Sequence, residues 1–159
     1  MNLNVNYSQK IIHELNLLVQ CQLWCVCPGG RNSPFIMALK EMQSLSFYNE
    51  EVAAFFALGR VKRDSRPVAV STTSGTAVAQ LLPAVIEAYY TQLPLILVTA
   101  DRPASYRDTG APQSINQIGI FSQYAHCIDL DIHTPLSIQS WNQQIPLHLN
   151  ICFDEPLLD

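Results

Sequence analysis

Apolar residues along the chain fall into two alternating rhythms. Residues 8–20 carry Ile11, Ile12, Leu15, Leu18 and Val19 at helical spacing, with Ser8 as the expected N-cap. Residues 23–27 then form a short, wholly apolar run closed by Pro28-Gly29-Gly30. Pro34 stands where a helix can begin, and 35–42 follows with helical spacing. The same alternation repeats: strand 45–48, helix 52–62, strand 67–71, helix 77–90 disturbed at Pro83, and strand 95–99. After the polar stretch 100–112, a helix is expected over 114–124 and strands over 127–130 and 147–153. A poorer helix, 136–144, lies between those last two strands.

Strands that are apolar throughout are buried on both faces. Alternation with helices then predicts an α/β fold: an open, mostly parallel six-stranded sheet with helices on both faces, joined by right-handed crossovers. Ligands of such sheets bind at the carboxyl ends of the strands. The chemically unusual residues stand at those ends. Strand one leads into Pro28-Gly29-Gly30-Arg31-Asn32-Ser33-Pro34, and strand two into Asn49-Glu50-Glu51. Strand three leads into Thr72-Thr73-Ser74-Gly75-Thr76, and strand four into Ala100-Asp101-Arg102-Pro103.

Composition narrows the function. The 159 residues suit one domain, and 48% hydrophobic against 14% charged residues excludes a disordered chain. The mean hydropathy is +0.11. So low a charge content suggests that a partner subunit or a further domain covers much of the surface. The net charge of −4, with no basic cluster beyond Arg60, Lys62, Arg63 and Arg66, argues against nucleic-acid binding. Apolar runs such as 93–100 fall short of a membrane span, and residues 1–10 lack a signal-peptide core. The five cysteines form an odd set within apolar runs, which suits core thiols in a reducing cytoplasm. Cys25-Val26-Cys27 has no second pair at zinc spacing, and the four histidines show no metal or triad spacing. No residue is therefore assigned to metal.

Several groups could carry chemistry. Glu50 ends a strand and opens an apolar helix, so the helix dipole favours its charge while burial opposes it. A helix-terminal acid with no further role is the competing reading, and Glu51 fits that role better. Ser74-Gly75-Thr76 opens a helix with small residues, which allows close backbone approach to a ligand. It is not a Walker motif, and Gly29-Gly30 is not a dinucleotide fingerprint. Arg31 and Arg102, with Arg107 and Gln113 on the following loop, suit an anionic substrate, although arginines at turns also form plain ion pairs. Segment 104–112 is long and polar enough to act as a lid or substrate loop.

The ordered set Pro28-Gly29-Gly30-Arg31-Asn32-Ser33-Pro34, Asn49-Glu50-Glu51 with Ala57-Leu58-Gly59, Thr73-Ser74-Gly75-Thr76-Ala77, Thr99-Ala100-Asp101-Arg102-Pro103 and Gly110-Ala111-Pro112-Gln113 resembles one family closely. It is similar to the N-terminal pyrimidine-binding (PYR) domain of the MenD family of menaquinone-pathway synthases, from about residue 8 to Pro156. Those enzymes are 2-succinyl-5-enolpyruvyl-6-hydroxy-3-cyclohexene-1-carboxylate synthases that depend on thiamine diphosphate. The resemblance implies a thiamine-diphosphate-binding fold of PYR type and a single PYR domain over 1–159, without the central and C-terminal domains. It implies that Glu50 is catalytic, bonding the cofactor's pyrimidine and promoting the tautomer that deprotonates the thiazolium. Thr73, Ser74, Gly75 and Thr76 would approach the pyrimidine. Gly30, Arg31, Arg102 and Gln113 would meet the substrates, 2-oxoglutarate and isochorismate. Mg2+ is expected in the missing C-terminal domain, whose Gly-Asp-Gly motif does not occur here. A homodimer or larger assembly through PYR domains is also expected, and the apolar helices 52–61 and 77–90 are the surfaces through which the domain would self-associate.

The chain departs from that family at two places. Gly29-Gly30-Arg31 stands where Gly-Ser-Arg is common, and Asn49-Glu50-Glu51 where Asp-Glu-Arg is common. Two other readings remain open: the PYR domain of an acetolactate-synthase-like enzyme or oxo-acid decarboxylase, and a non-catalytic domain kept for assembly.

Overall fold

The computed structural model describes residues 2–158. The order is α1 (Leu3–Val19), β1 (Leu23–Val26), α2 (Ser33–Ala38), β2 (Gln43–Ser46), α3 (Glu50–Asp64), β3 (Val68–Thr72), α4 (Thr76–Ala79), α5 (Leu82–Tyr90), β4 (Leu95–Asp101), β5 (His126–Leu130) and β6 (Leu147–Cys152). The six strands form one sheet in the order β2-β1-β3-β4-β6-β5. Every neighbouring pair is parallel.

Side chains alternate across the strands, and each face carries its own core. On one face Trp24, Val26, Ala69, Ile96, Val98, Leu147 and Leu149 pack with Ile11 and Leu15 of α1 and Phe35 of α2. On the other, Cys25, Cys27, Val70 and Leu97 pack with Ala53, Ala54, Ala57 and Leu58 of α3 and Ala84, Val85 and Ala88 of α5. The alanines let both helices lie close to the sheet and to each other. The expected α/β architecture is therefore observed.

Chain order and strand order together fix where a ligand can enter. From β1 the chain moves outward through α2 to the edge strand β2, then returns across the other face through α3 to β3, on the far side of β1. The direction of winding reverses between β1 and β3, the position at which open sheets of this kind take ligands at their carboxyl edge.

Several local expectations are corrected. Helix α1 begins five residues before Ser8: Asn2 is its N-cap, with its side chain accepting from the Val5 N–H at 3.1 Å. Ser8 lies inside the helix and donates to the Asn4 carbonyl at 2.8 Å. Strand β2 spans Gln43–Ser46 rather than 45–48, and all four residues are exposed because it forms the sheet edge. The helix expected over 77–90 is two helices, α4 and α5, with Pro83 in the first turn of the second. There a proline's missing N–H costs nothing.

Neither 114–124 nor 136–144 is helical. In the first, the Asn116 side chain accepts from the Gly119 N–H at 3.1 Å, a turn bond that competes with helix. In the second, Asn142 accepts from the Gln144 N–H, and Gln143 sits at φ 59°. The cysteines are free thiols, four of them buried and Cys127 half-buried. Among the described residues, no helix is long and apolar enough to cross a membrane.

Candidate functional site at the carboxyl edge of the sheet

The turn after β1 is built around Asn32. This fully buried side chain accepts from the Gly29 N–H at 2.9 Å and donates to the Cys27 carbonyl at 3.1 Å. It also reaches Ser71 Oγ of β3 at 3.4 Å, tying the turn to the neighbouring strand. Gly29 packs so closely on Thr73 that a Cβ at Gly29 would lie 2.5 Å from the threonine Cβ. The Arg31 N–H donates to Thr73 Oγ1 at 3.3 Å. The turns after β1 and β3 thus pack directly on each other at the switch point. Gly30 faces open space, with nothing within 4 Å of where its Cβ would be.

The turn after β3 needs its glycine. Gly75 has φ 84°, where a side chain is strained, and its missing Cβ would meet Gln113 Cα at 3.1 Å. Gln113 itself holds φ 54° and approaches the Ser74 carbonyl through Nε2 at 3.5 Å. Residues that follow β3 and β4 are therefore packed together, as the carboxyl-edge reading expects. Thr72 Oγ1, buried at the end of β3, has no hydrogen-bond partner among the described residues.

Glu50 occupies the first turn of α3 and is half-buried. Asn49 fixes its position by capping the helix, accepting from the Val52 N–H at 2.9 Å. An asparagine thus does here what an aspartate would do as N-cap. Glu50 lies within electrostatic reach of Cys27 at the end of β1. Burial first, and then the negative Glu50, push that thiol up to about 12.

The arginines differ in their engagement. The Arg31 guanidinium is buried and donates to the Phe153 carbonyl and to Glu155 Oε1, each at 3.2 Å. Arg102 donates from Nε to the Pro112 carbonyl at 2.9 Å, and its guanidinium carbon lies 5.6 Å from the centre of the Tyr106 ring. Arg107 pairs with Asp129 at 2.9 Å and lies 3.8 Å from Asp101. Burial works against its charge, but the Asp129 bond and the neighbouring acids outweigh this and raise its pKa. Arg107 accordingly ties the polar loop to β5 and to the ends of β4 and β6.

Sequence reasoning overlooked the polar layer beneath these turns. Gln117, Asn150, Asp101 and Thr99 are all buried. Burial is the main influence on Asp101 and raises its pKa, while bonds from Asn150 and the Arg102 N–H partly offset it. A usable signal existed: His148 and Asn150 interrupt an otherwise apolar final strand, and buried polar groups need partners. Among the described residues, no cluster of three or more His, Cys, Asp or Glu side chains could hold a metal ion.

Residues 9–120 match the family described as thiamine pyrophosphate enzyme, N-terminal TPP binding domain. The chain is 50% identical over 161 residues to a 2-succinyl-5-enolpyruvyl-6-hydroxy-3-cyclohexene-1-carboxylate synthase of Bdellovibrio bacteriovorus, covering 98% of this chain and 30% of that protein. It is 49% identical to the synthase of the same name in Akkermansia muciniphila, covering 89% and 28%, and 40% identical to that of Shewanella sediminis, covering 98% and 29%. The chain thus spans less than a third of the length of these curated relatives.

Proposed function

The chain belongs to the thiamine pyrophosphate enzymes as an N-terminal TPP-binding domain, and from this we propose that it forms the pyrimidine-side half of a 2-succinyl-5-enolpyruvyl-6-hydroxy-3-cyclohexene-1-carboxylate synthase. The observation that carries the reading is the set of contacts at the switch point between β1 and β3. Gly29 brings the turns after β1 and β3 together there, Gly75 packs the turn after β3 against Gln113 of the loop after β4, and Glu50 lies within electrostatic reach of Cys27 just after β1. Two further features suit a flat heteroaromatic ring at this edge: Gly30 leaves open space beside the turn after β1, and Thr72 Oγ1, buried at the end of β3, is an unused polar atom.

When bound, thiamine diphosphate supplies a carbon nucleophile able to attack and decarboxylate an oxo acid. The residues of this chain would do the rest of the pyrimidine-side work. Glu50 would hold a proton at a ring nitrogen, a task that needs a carboxyl fixed and partly shielded from water. The Asn49 cap holds the backbone of the first turn of α3, and the Glu50 side chain there is half-buried. Thr73, Ser74, Gly75 and Thr76 would form the wall against the ring. Arg102 and Gln113, with Gly30 and the Arg31 turn, would receive the carboxylates of 2-oxoglutarate and isochorismate. The diphosphate and its Mg2+ would be held by the C-terminal part of the synthase, outside this chain. On this reading the residues of this chain act together with that part.

The assembly is also proposed. Tyr48, Val52, Phe55 and Phe56 stay exposed around Glu50. A second copy of the chain, or the C-terminal part of the enzyme, would cover them and dry the site. Five free thiols suit a reducing cytoplasm.

The test uses the assembled enzyme that contains this chain, with 2-oxoglutarate and pyruvate offered separately. Release of carbon dioxide from 2-oxoglutarate but not pyruvate supports the synthase. The reverse preference would favour an acetolactate-type enzyme or a pyruvate decarboxylase. Absence of thiamine diphosphate binding in calorimetry would favour a domain kept for assembly alone.

A further inference from the structure

From the turn after β3 runs a continuous line of hydrogen bonds, buried at its Gln117 end and reaching the surface at Arg107, and Gln117 is its first link. The Gly75 N–H donates to Gln117 Oε1 at 3.1 Å. Gln117 Nε2 donates onward to the Ala100 carbonyl at the end of β4 (3.0 Å) and to Asn150 Oδ1 of β6 (2.7 Å). Asn150 Oδ1 also accepts from Thr99 Oγ1 at 3.3 Å. Asn150 Nδ2 donates to Asp101 Oδ2 at 3.0 Å and to Asp129 Oδ1 at 2.8 Å. Asp101 accepts from the Arg102 N–H, and Asp129 accepts from Arg107. The line therefore joins the Gly75 turn to Arg102 and Arg107 in the first part of the polar loop.

The chemistry of the first link is specific. Gln117 is only 1% exposed, so an unmade bond there is not repaired by bulk water. Its site presents one donor, the Gly75 N–H, and two acceptors, the Ala100 carbonyl and Asn150 Oδ1. A primary amide supplies one acceptor and two donors on a single planar group, matching all three. Leucine matches none. An ionised glutamate can accept from Gly75 but sets negative oxygens against two other acceptors. Gly75, at φ 84°, has the wide conformational freedom of glycine, so a bond to its N–H selects one arrangement of the turn.

We propose that Gln117 is a positioning residue. It holds the Thr73–Thr76 turn at the angle the cofactor ring requires and couples that angle to the substrate loop. The inference rests on the pyrimidine-side reading above.

The test compares wild type, Gln117→Leu and Gln117→Glu. In the full chain, hydrogen exchange of the Gly75 amide is followed by NMR against core amides such as Val70 and Leu97. In the assembled enzyme, the thiamine diphosphate concentration giving half-maximal activity is measured. Gln117→Leu should speed Gly75 exchange by about tenfold or more while the core amides stay protected, and raise the half-saturating concentration by a similar factor. Gln117→Glu should restore both properties only below a pH midpoint lying above the ordinary glutamate value of about 4.3, where its protonated carboxyl can donate. Unchanged Gly75 exchange in Gln117→Leu, or a flat pH profile in Gln117→Glu, would overturn the proposal. So would an unchanged half-saturating concentration in Gln117→Leu. Wild type that protects Gly75 but never takes up thiamine diphosphate would instead overturn the cofactor reading, leaving the clamp on the turn intact.

Discussion

The close approach of Gly29 to Thr73 permits a sharp energetic test of the switch point. An alanine Cβ at position 29 would lie 2.5 Å from Thr73 Cβ, 2.7 Å from its Cγ2 and 2.9 Å from its Oγ1. Comfortable carbon–carbon contacts lie at about 3.5–4.0 Å, so the overlap is on the order of 1 Å. The threonine cannot rotate away, because its Cβ is fixed to the backbone of the turn. Gly29→Ala must therefore push the turns after β1 and β3 apart, at a cost of about 1–3 kcal/mol. In urea, with a slope of about 1–3 kcal/mol per molar for a small domain, the midpoint should fall by roughly 1 M. Partner substitutions separate the causes. Thr73→Gly removes the offending Cβ and should cancel most of the Gly29→Ala penalty in a double-mutant cycle. Thr73→Ala keeps that Cβ and should cancel far less. A Gly29→Ala chain within about 0.5 kcal/mol of wild type would refute the reasoning, as would equal rescue by alanine and glycine.

Three further outcomes are expected. Gly30→Ser, which meets open space, should leave stability unchanged in urea unfolding; a loss above about 1 kcal/mol would show that the Gly30 surroundings have been misassigned. His148 is held neutral, its pKa pushed down to about 3 by burial, so the unfolded chain binds an extra proton below about pH 6.5. Stability should then be fully present above that pH and fall by up to about 1.4 kcal/mol per unit between pH 6 and 5, a slope that His148→Gln flattens in pH-dependent unfolding. A second copy covering Val52, Phe55 and Phe56 should appear as concentration-dependent sedimentation, weakened by Phe55→Glu; a monomer at every concentration contradicts self-association.

The parallel sheet was legible because β1, β3, β4 and β6 are apolar almost throughout, a signature of strands buried on both faces. Strand β2 was misplaced by two residues for the converse reason. As an exposed edge it reads Gln43-Ser44-Leu45-Ser46, and the more apolar Phe47 and Tyr48 beyond it drew the assignment onward. The segment 114–124 imitates a helix through Ile115, Ile118 and Phe121. Only the tertiary bonds of Gln117 and the turn bond of Asn116 reveal that the backbone goes elsewhere.

At the site, the glycines and Glu50 stood out because each ends a strand or starts a helix. Gln117 did not, since its importance lies in partners 33 and 42 residues away that no local pattern exposes. The engagement of Arg31 with Phe153 and Glu155 was hidden in the same way.

The central claim is that Glu50 works on the cofactor's pyrimidine, and the most direct measurement is carbon dioxide release from 2-oxoglutarate by the assembled Glu50→Gln enzyme. The amide keeps the size of the carboxyl and leaves the Asn49 cap in place, so loss of the fold does not confuse the result. Turnover should drop by about 10²–10⁴-fold with thiamine diphosphate still bound. Turnover equal to wild type would contradict the account.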